Sequence, residues 1–577
     1  KAVYYNAYWQ DCHVNLPDQP HAKTCGEFRA RRDRGKDFLL NVLPASPVDA
    51  ATFNDTWKKW GYSARPDNFD ELYTLRYGLN HAPFPNPYPT PTDTPAQVAA
   101  GGTGQLPLGL RQLKDASGNW TGQIASAACF QCHGGQIGEP SQIGMENLGL
   151  GNNNYDVIMS GQDSSPWADT VVAPLLPSIS IDALFNIGIK QRGQNNAVGA
   201  FEFLITILDL DSLGINPNPL KTVVGQTGVQ DVSHPLAHTQ DTPAWWNMGS
   251  RPRKFFDAGV SNDSTRIIMA AGPGETSTLF SASGLPYRTR IEDYDQDLEA
   301  FFLSLKSPSY PGQIDEALAQ TGAVLFHTKD LWALPANANR PKPLGGNGSC
   351  ASCHGAYSPR YVNDPAYLVD PVMEGVAGHI SPLAVIGTDR ARSDMLTPTL
   401  RQRWDSTYWG YTDNTPGWVS PEDKNPLVEA ADDMYPLSMR PTGVCGWEKE
   451  VIGYQAPPLY GVWATAPYFH NGSVPTVEAV LDSSKRAPIW QRRIKTDGMV
   501  KGFDQSLDSY DFSALGWKHD DLTCADIPGN MLMNCNPANI EGPSIVELAQ
   551  NYLNSTLSWA GLITVPDPTP GAVDKRL

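Results

Sequence analysis

Two pentapeptides constrain this chain more than anything else in it: Cys129-Phe130-Gln131-Cys132-His133 and Cys350-Ala351-Ser352-Cys353-His354. Each reads C-x-x-C-H, the attachment signature of a c-type haem. Two thiols at that spacing can add to the two vinyl groups of one porphyrin, and the histidine that follows is held where it can bind the iron. A structural zinc site needs a second ligand pair, and the sequence has no further C-x-x-C to supply it. The motifs therefore predict two covalently bound haem c groups, with His133 and His354 as proximal iron ligands and Cys129, Cys132, Cys350 and Cys353 as the thioether positions.

Two such centres need two units, and 577 residues are enough for them. Hydrophobic residues at 41% and charged residues at 18% describe a globular chain, while 49 prolines and 51 glycines predict much irregular loop. The expected fold class is mainly α with much irregular loop: two tandem cytochrome-c-like haem domains and an irregular N-terminal wrapping segment. A net charge of −18 argues against nucleic acid as a partner, and there is no apolar run long enough for a membrane span. The chain begins at Lys1, consistent with a removed secretory signal and a secreted or periplasmic location. Of the five remaining cysteines, Cys12 with Cys25 and Cys524 with Cys535 can form disulfides in such a compartment, and Cys445 is left over.

In chain order, residues 1–110 read as the irregular segment, with a short helix near Asp33–Leu43 and proline-rich turns around Phe84–Pro89. The first haem domain spans 111–309 and the second 310–577. Gly134-Gly135 lets the chain turn sharply after the first motif. Ala200–Asp209 is a helix apolar nearly all round, hence buried. A helix over 291–306 closes the first unit, Ser307–Gly312 links the two, Asp315–Thr328 leads into the second motif, and Pro543–Leu557 closes the second unit.

An internal repeat compares the two units directly. Asp241-Thr242-Pro243-Ala244-Trp245-Trp246 leads, thirteen residues after Pro243, to Phe256-Asp257-Ala258-Gly259-Val260. Gln455-Ala456-Pro457-Pro458-Leu459-Tyr460 leads, thirteen residues after Pro457, to His470-Asn471-Gly472-Ser473-Val474. Phe256 thus stands where the second unit has His470. No histidine lies between His133 and His234, and His234 and His238 sit among polar turn residues. The first iron is expected to have an open upper face, which oxygen or peroxide activation needs. For the second iron the candidate sixth ligands are His379, His470, His519 and Met499, with His519 preferred.

The stretch Leu459–Thr476, with Thr465-Ala466-Pro467-Tyr468-Phe469-His470-Asn471-Gly472, resembles the interdomain T-A-P-Y-F-H-x-G motif of the bacterial dihaem cytochrome c peroxidase superfamily. That resemblance implies a calcium ion near Thr465 and Pro467 and puts His470 at the domain interface rather than on iron. It also places a second-haem methionine or tyrosine at Ser484, and serine cannot serve there, so the chain departs from the peroxidase pattern. The second motif with its tail, Ser349 through Asp364, is similar to the rubber oxygenases, secreted dihaem proteins that cleave poly(cis-1,4-isoprene) with dioxygen. This similarity implies an N-terminal haem that takes O2 beneath apolar and aromatic side chains and a bis-histidine C-terminal haem. Carried over by position, the pocket comprises Trp245, Trp246 and Phe256, with Ala200, Phe201, Phe203 and Leu204. The partners expected are O2 and the hydrophobic polymer, and the chain is expected to be a monomer.

Two other functions are compatible with two haems. A dihaem peroxidase needs a distal acid or base, for which Glu202 is the nearest suspect. A dihaem electron-transfer protein needs both irons six-coordinate.

Overall fold

The computed structural model describes residues 24–42, 46–115, 117–126, 133–138, 241–250, 304–342, 347–357, 380–390, 453–487 and 489–523, with single positions such as 130, 256 and 297 between them. The apolar segment at 200–209, Cys129, Cys132 and the closing helix expected at 543–557 lie outside the described residues.

Helix α1, Cys25–Asp37, begins on the Thr24 side chain, which accepts from the Glu27 N–H at 3.1 Å, and runs into a π-turn at Phe38–Val42. Cys25 stands exposed at its first position, and Cys12, the partner expected for it, lies outside the described residues. Arg34 forks onto Asp297 with both N–H···O distances at 2.7 Å, and Gly35 is the contact point beneath it. A side chain there would run into the Asp297 carbonyl, so only glycine lets the two backbones meet. Asp297, Leu298, Ala300, Phe301, Phe302 and Ser304 are helical, and the three apolar side chains Leu298, Phe301 and Phe302 are buried.

The N-terminal segment is more regular than its proline content suggests. Strand β1 (Ser46–Asp49) leads to α2 (Ala50–Asn54) and then α3 (Phe69–Arg76), and the chain runs on through β2 (Pro87–Tyr88) and β3 (Gly104–Gln105). β4 (Leu110–Lys114) and β5 (Trp120–Ser126) complete a three-stranded antiparallel sheet in the order β1-β5-β4, which crosses the boundary expected at 110. Phe69, Leu72 and Tyr73 recur at helical spacing on α3 and bury one face against Phe53, Trp60, Tyr77 and Tyr88. Trp60 lies flat on Phe69, centroids 5.3 Å apart and planes 10° apart. The reason for the regularity is this aromatic core, whose burial outweighs the local irregularity of the prolines.

The second half opens with α4, Glu316–Thr328, capped by Asp315, whose carboxylate accepts from the Ala317 and Leu318 N–H groups at 3.0 Å. The second motif forms a single turn, α5 (Ala351–His354), ended by Gly355 at φ +79. β6 (Ile380–Pro382) pairs with β7 (Gly453–Gln455), which delivers the chain to the Pro457 segment. Beyond α6 (Val477–Leu481) come short antiparallel pairs, β8 (Trp490–Arg492) with β11 (His519–Asp521) and β9 (Ile494–Asp497) with β10 (Val500–Phe503). The β9–β10 hairpin returns to the N-terminal segment: Val500 is buried in the same core as Phe69, and the Gln505 amide donates to the Leu79 carbonyl at 3.1 Å.

A second core joins the halves. Ile137, Ala244 and Trp246 from the first pack with Trp463, Tyr468, Tyr510 and Trp517 from the second. The linker segment lies against it, with Trp463 Nε1 donating to the Pro308 carbonyl at 3.1 Å and Tyr310 edge-on to Trp463. Among the described residues no helix is long and apolar enough to cross a membrane.

Candidate haem centres

The two motif histidines are held in the same way by the two copies of the repeat. His133 Nδ1 lies 3.1 Å from the Pro243 carbonyl oxygen and His354 Nδ1 lies 2.9 Å from the Pro457 carbonyl oxygen. A carbonyl can only accept, so each Nδ1 carries the proton and each Nε2 presents its lone pair. That is the tautomer an iron ligand needs, and a carbonyl partner also raises the basicity of the nitrogen that binds. Burial pushes the His133 imidazole down to about 4 despite that carbonyl, which keeps it neutral. The position after each histidine is glycine, and the Gly134 and Gly355 N–H groups close matching bonds to Phe130 and Ala351.

The repeat segments also cross-bond each other. The Asp241 N–H donates to the His470 carbonyl at 2.7 Å, and the Gln455 N–H donates to the Phe256 carbonyl at 2.6 Å. Asp241 and Gln455 occupy the same repeat position, as do His470 and Phe256, so the exchange is reciprocal. Between them Trp246 Nε1 donates to the carbonyl of Tyr460, its own counterpart, at 2.7 Å. The proximal acceptor of each centre therefore sits on a strip of backbone bonded to the other half.

Around the first centre the environment is aromatic. Trp245 stacks on the His133 ring at 5.0 Å and 27°, and it is 1% exposed. Phe130 and Phe302 meet the same indole edge-on at 5.5 and 4.8 Å. Trp245 thus forms the wall beside the motif histidine. Trp246 is in the core between the halves, and Phe256 is buried with its carbonyl in the crossover. Ala200, Phe201, Phe203, Leu204 and Glu202 lie outside the described residues.

Around the second centre Cys350 is buried at the N-cap of α5 and the Ser381 hydroxyl approaches the Cys353 sulfur at 3.7 Å. His470 is buried and lies flat on Tyr454, ring centroids 4.0 Å apart and planes 19° apart. His519 sits on β11, its Nδ1 donating to the Trp517 carbonyl at 3.0 Å, its Nε2 3.5 Å from Asp521 and its ring edge-on to Trp490. Its Nδ1 is pinned on a carbonyl as in the motif histidines. Trp490 Nε1 donates to the Ser473 carbonyl, which ties this group to the His470 loop. Met499 is 60% exposed at the β9–β10 turn beside Tyr62. His379 lies outside the described residues.

Thr465 donates its hydroxyl to the Val462 carbonyl at 3.1 Å, and Pro467 follows a cis peptide. Among the described residues no three or more His, Cys, Asp or Glu side chains converge as a metal site.

Several residues outside the sequence-derived set shape these centres. Three positions after each motif histidine the chain is anchored by another histidine. His81 Nδ1 lies 3.3 Å from the Gln136 amide while its own N–H donates to Gln136 Oε1 at 2.9 Å. In the second half His327 Nε2 accepts from the Tyr357 N–H at 3.2 Å. No sequence signal marked His81 or His327, because their partners are remote and their spacing from the motifs differs.

The residues present fit covalently attached haem c. Both proximal histidines expose the correct nitrogen, and α5 sets Cys350, Cys353 and His354 on a single turn. Near the first centre the Trp245 indole N–H and the Asn80 side-chain amide are buried with no hydrogen-bond partner among the described residues, which is costly unless a polar group meets them.

The chain is 27% identical over 270 residues to the uncharacterized protein y4iM of Sinorhizobium fredii, covering 45% of this chain and 49% of that protein. It is 38% identical over 71 residues to the uncharacterized protein y4iJ of the same organism, covering 12% of this chain and 10% of that one. It therefore spans about half the length of the first relative and a tenth of the second. Residues 453–491, which include the Pro457 acceptor and the His470 loop, match the family described as RoxA-like, cytochrome c-like, so the chain carries a RoxA-like haem domain that implies covalent haem c.

Proposed function

We propose that the chain is a dihaem c-type oxygenase that cleaves the double bonds of poly(cis-1,4-isoprene) with O2, leaving aldehyde and ketone ends. The single observation that carries the dihaem part is the matched pair of imidazoles, His133 on Pro243 and His354 on Pro457, each fixed with Nε2 available. The oxygenase part is supported by the aromatic side chains around His133 and by the RoxA-like match over 453–491. The division of labour proposed is a first unit (111–309) that reacts with O2 and a second (310–577) that tunes it or supplies electrons.

When bound at His133, the haem supplies an iron position at which O2 can be activated. The rest of the chemistry falls to the chain. Polyisoprene has neither charge nor hydrogen-bonding groups, so its binding must come from buried apolar area at about 25 cal/mol per Å². Phe256 stands in the repeat where the second unit has His470, and a phenyl ring offers O2 no proton. A pocket roofed by such a ring would disfavour heterolytic splitting of peroxide and leave attack on an alkene open. Trp245, packed flat on His133, excludes water from the proximal side. At the second centre His519 is proposed as the sixth ligand of the iron held by His354, while Thr465 and Pro467 are the proposed calcium positions. Attachment of haem c and a polymer substrate both place the proposed site of action outside the cytoplasm, and the proposed working form is a monomer.

Incubating the purified dihaem protein with polyisoprene latex in air, then assaying carbonyl ends and products by mass spectrometry, tests this. Oligo-isoprenoids carrying one aldehyde and one ketone end are expected, with O2 consumed and no added peroxide. Inertness to latex combined with peroxide-dependent oxidation of a reduced cytochrome would instead establish the peroxidase alternative. Purely low-spin spectra in both oxidation states would favour electron transfer.

A further inference from the structure

We infer that His327 and Tyr357 are positioning residues that hold the Pro457 carbonyl against His354 and thereby set the donor strength of the second haem's proximal ligand. The inference rests on the dihaem reading above.

The first observation is an inversion on α4. This helix carries Leu318 and Val324 at 69% and 41% exposure, yet its one buried residue is His327, at 1%. Burial that selects an imidazole over neighbouring aliphatic side chains is explained by hydrogen bonding rather than by apolar area. Both ring nitrogens are used: Nδ1 donates to the Ala323 carbonyl at 2.6 Å, and Nε2 accepts from the Tyr357 N–H at 3.2 Å. The ring is thus fixed as one neutral tautomer. Its backbone carbonyl accepts from the Asn347 amide at 2.8 Å, just before the motif.

The second observation is where Tyr357 ends. Its buried hydroxyl accepts from the Leu459 N–H at 3.0 Å. In Gln455-Ala456-Pro457-Pro458-Leu459 the two prolines have no N–H, so Leu459 offers the first donor after the carbonyl that matters. The Pro457 carbonyl is therefore strapped on both sides, by Gln455 to the Phe256 carbonyl and by Leu459 to the Tyr357 hydroxyl. Ring contacts of Tyr357 with Phe326 at 5.8 Å and Tyr460 at 5.2 Å fix the phenol between them. At the first centre the equivalent position is Gln136, whose side-chain amide meets His81.

A firmly placed carbonyl draws the Nδ1 proton of His354 towards itself, makes Nε2 a stronger donor and favours ferric over ferrous iron. Loosening the strap should raise the midpoint potential of the second haem. The test uses the full-length dihaem protein, with haem per chain counted first. Tyr357→Phe removes one oxygen and keeps the ring; His327→Leu removes the acceptor, and His327→Gln restores one at the position of Nε2. The expected result is an upward shift of the second haem's potential in Tyr357→Phe and His327→Leu. The first haem should be unmoved, His327→Gln should be nearer the native value, and the hyperfine-shifted His354 Nδ1 proton should exchange faster in the two shifted variants. Two haems with an unaltered second potential in Tyr357→Phe would overturn the inference. So would selective loss of the second haem in Tyr357→Phe, because the pair would then build the site rather than tune it. Fewer than two haems in the unmutated protein would instead overturn the dihaem reading itself.

Discussion

At the scale of the residue, what decides each centre is one proton on one nitrogen. With Nδ1 of His133 and His354 donating to proline carbonyls, Nε2 has no choice of role. His133→Ala is expected to abolish polymer cleavage while the thioether-bound haem remains on the chain, measured by carbonyl yield at equal haem content. The second-centre ligand is the sharper test. His519→Ala should turn that haem high-spin, and His470→Ala should leave its coordination intact; the opposite spectra would exchange their roles. Phe256 is the third case. Phe256→His should supply a proton donor, hasten autoxidation of the ferrous protein and raise peroxide consumption at the expense of latex cleavage. Phe256→Ala should destabilise by about 3–5 kcal/mol, since the ring is buried. If Phe256 only fills core, stability will fall while spectra and rates stay native.

At the scale of the element, the helix before the second motif was legible because its cap and its period are both local. Asp315 stands at the start of an apolar run, and α4 begins at the next residue. Asp315→Ala should cost about 1 kcal/mol in chemical denaturation by leaving the Ala317 and Leu318 N–H groups without their acceptor. The pairing of β1 with β5 was not legible, because about seventy residues of proline-rich chain separate the two strands and they pair only after the aromatic core brings them together. The same limit applies to His81 and His327. A histidine whose partner lies 30 or 55 residues away leaves no spacing rule in the sequence. The placement of Trp245 is a third instance: its proximity to a centre followed from the repeat, whereas the side on which its ring lies depends on packing against Phe130 and Phe302.

At the scale of the whole molecule, the repeat explains how two centres are joined. Its register, read from Pro243 and Pro457, is the register in which the backbone exchanges hydrogen bonds: Asp241 to His470 and Gln455 to Phe256. The N-terminal segment adds a second layer of connection, bonding to the first-centre tail through His81 and to the C-terminal hairpin through Leu79 and Tyr62. Every part of this arrangement presupposes one haem at each motif. The most direct measurement is the number of covalently bound haems per chain, by pyridine haemochrome and intact mass, in protein matured where haem c is attached. The account predicts two, falling to one when either cysteine of the first motif (Cys129 or Cys132) or of the second (Cys350 or Cys353) is replaced by alanine. A single haem in the unmutated chain, or none, would contradict it.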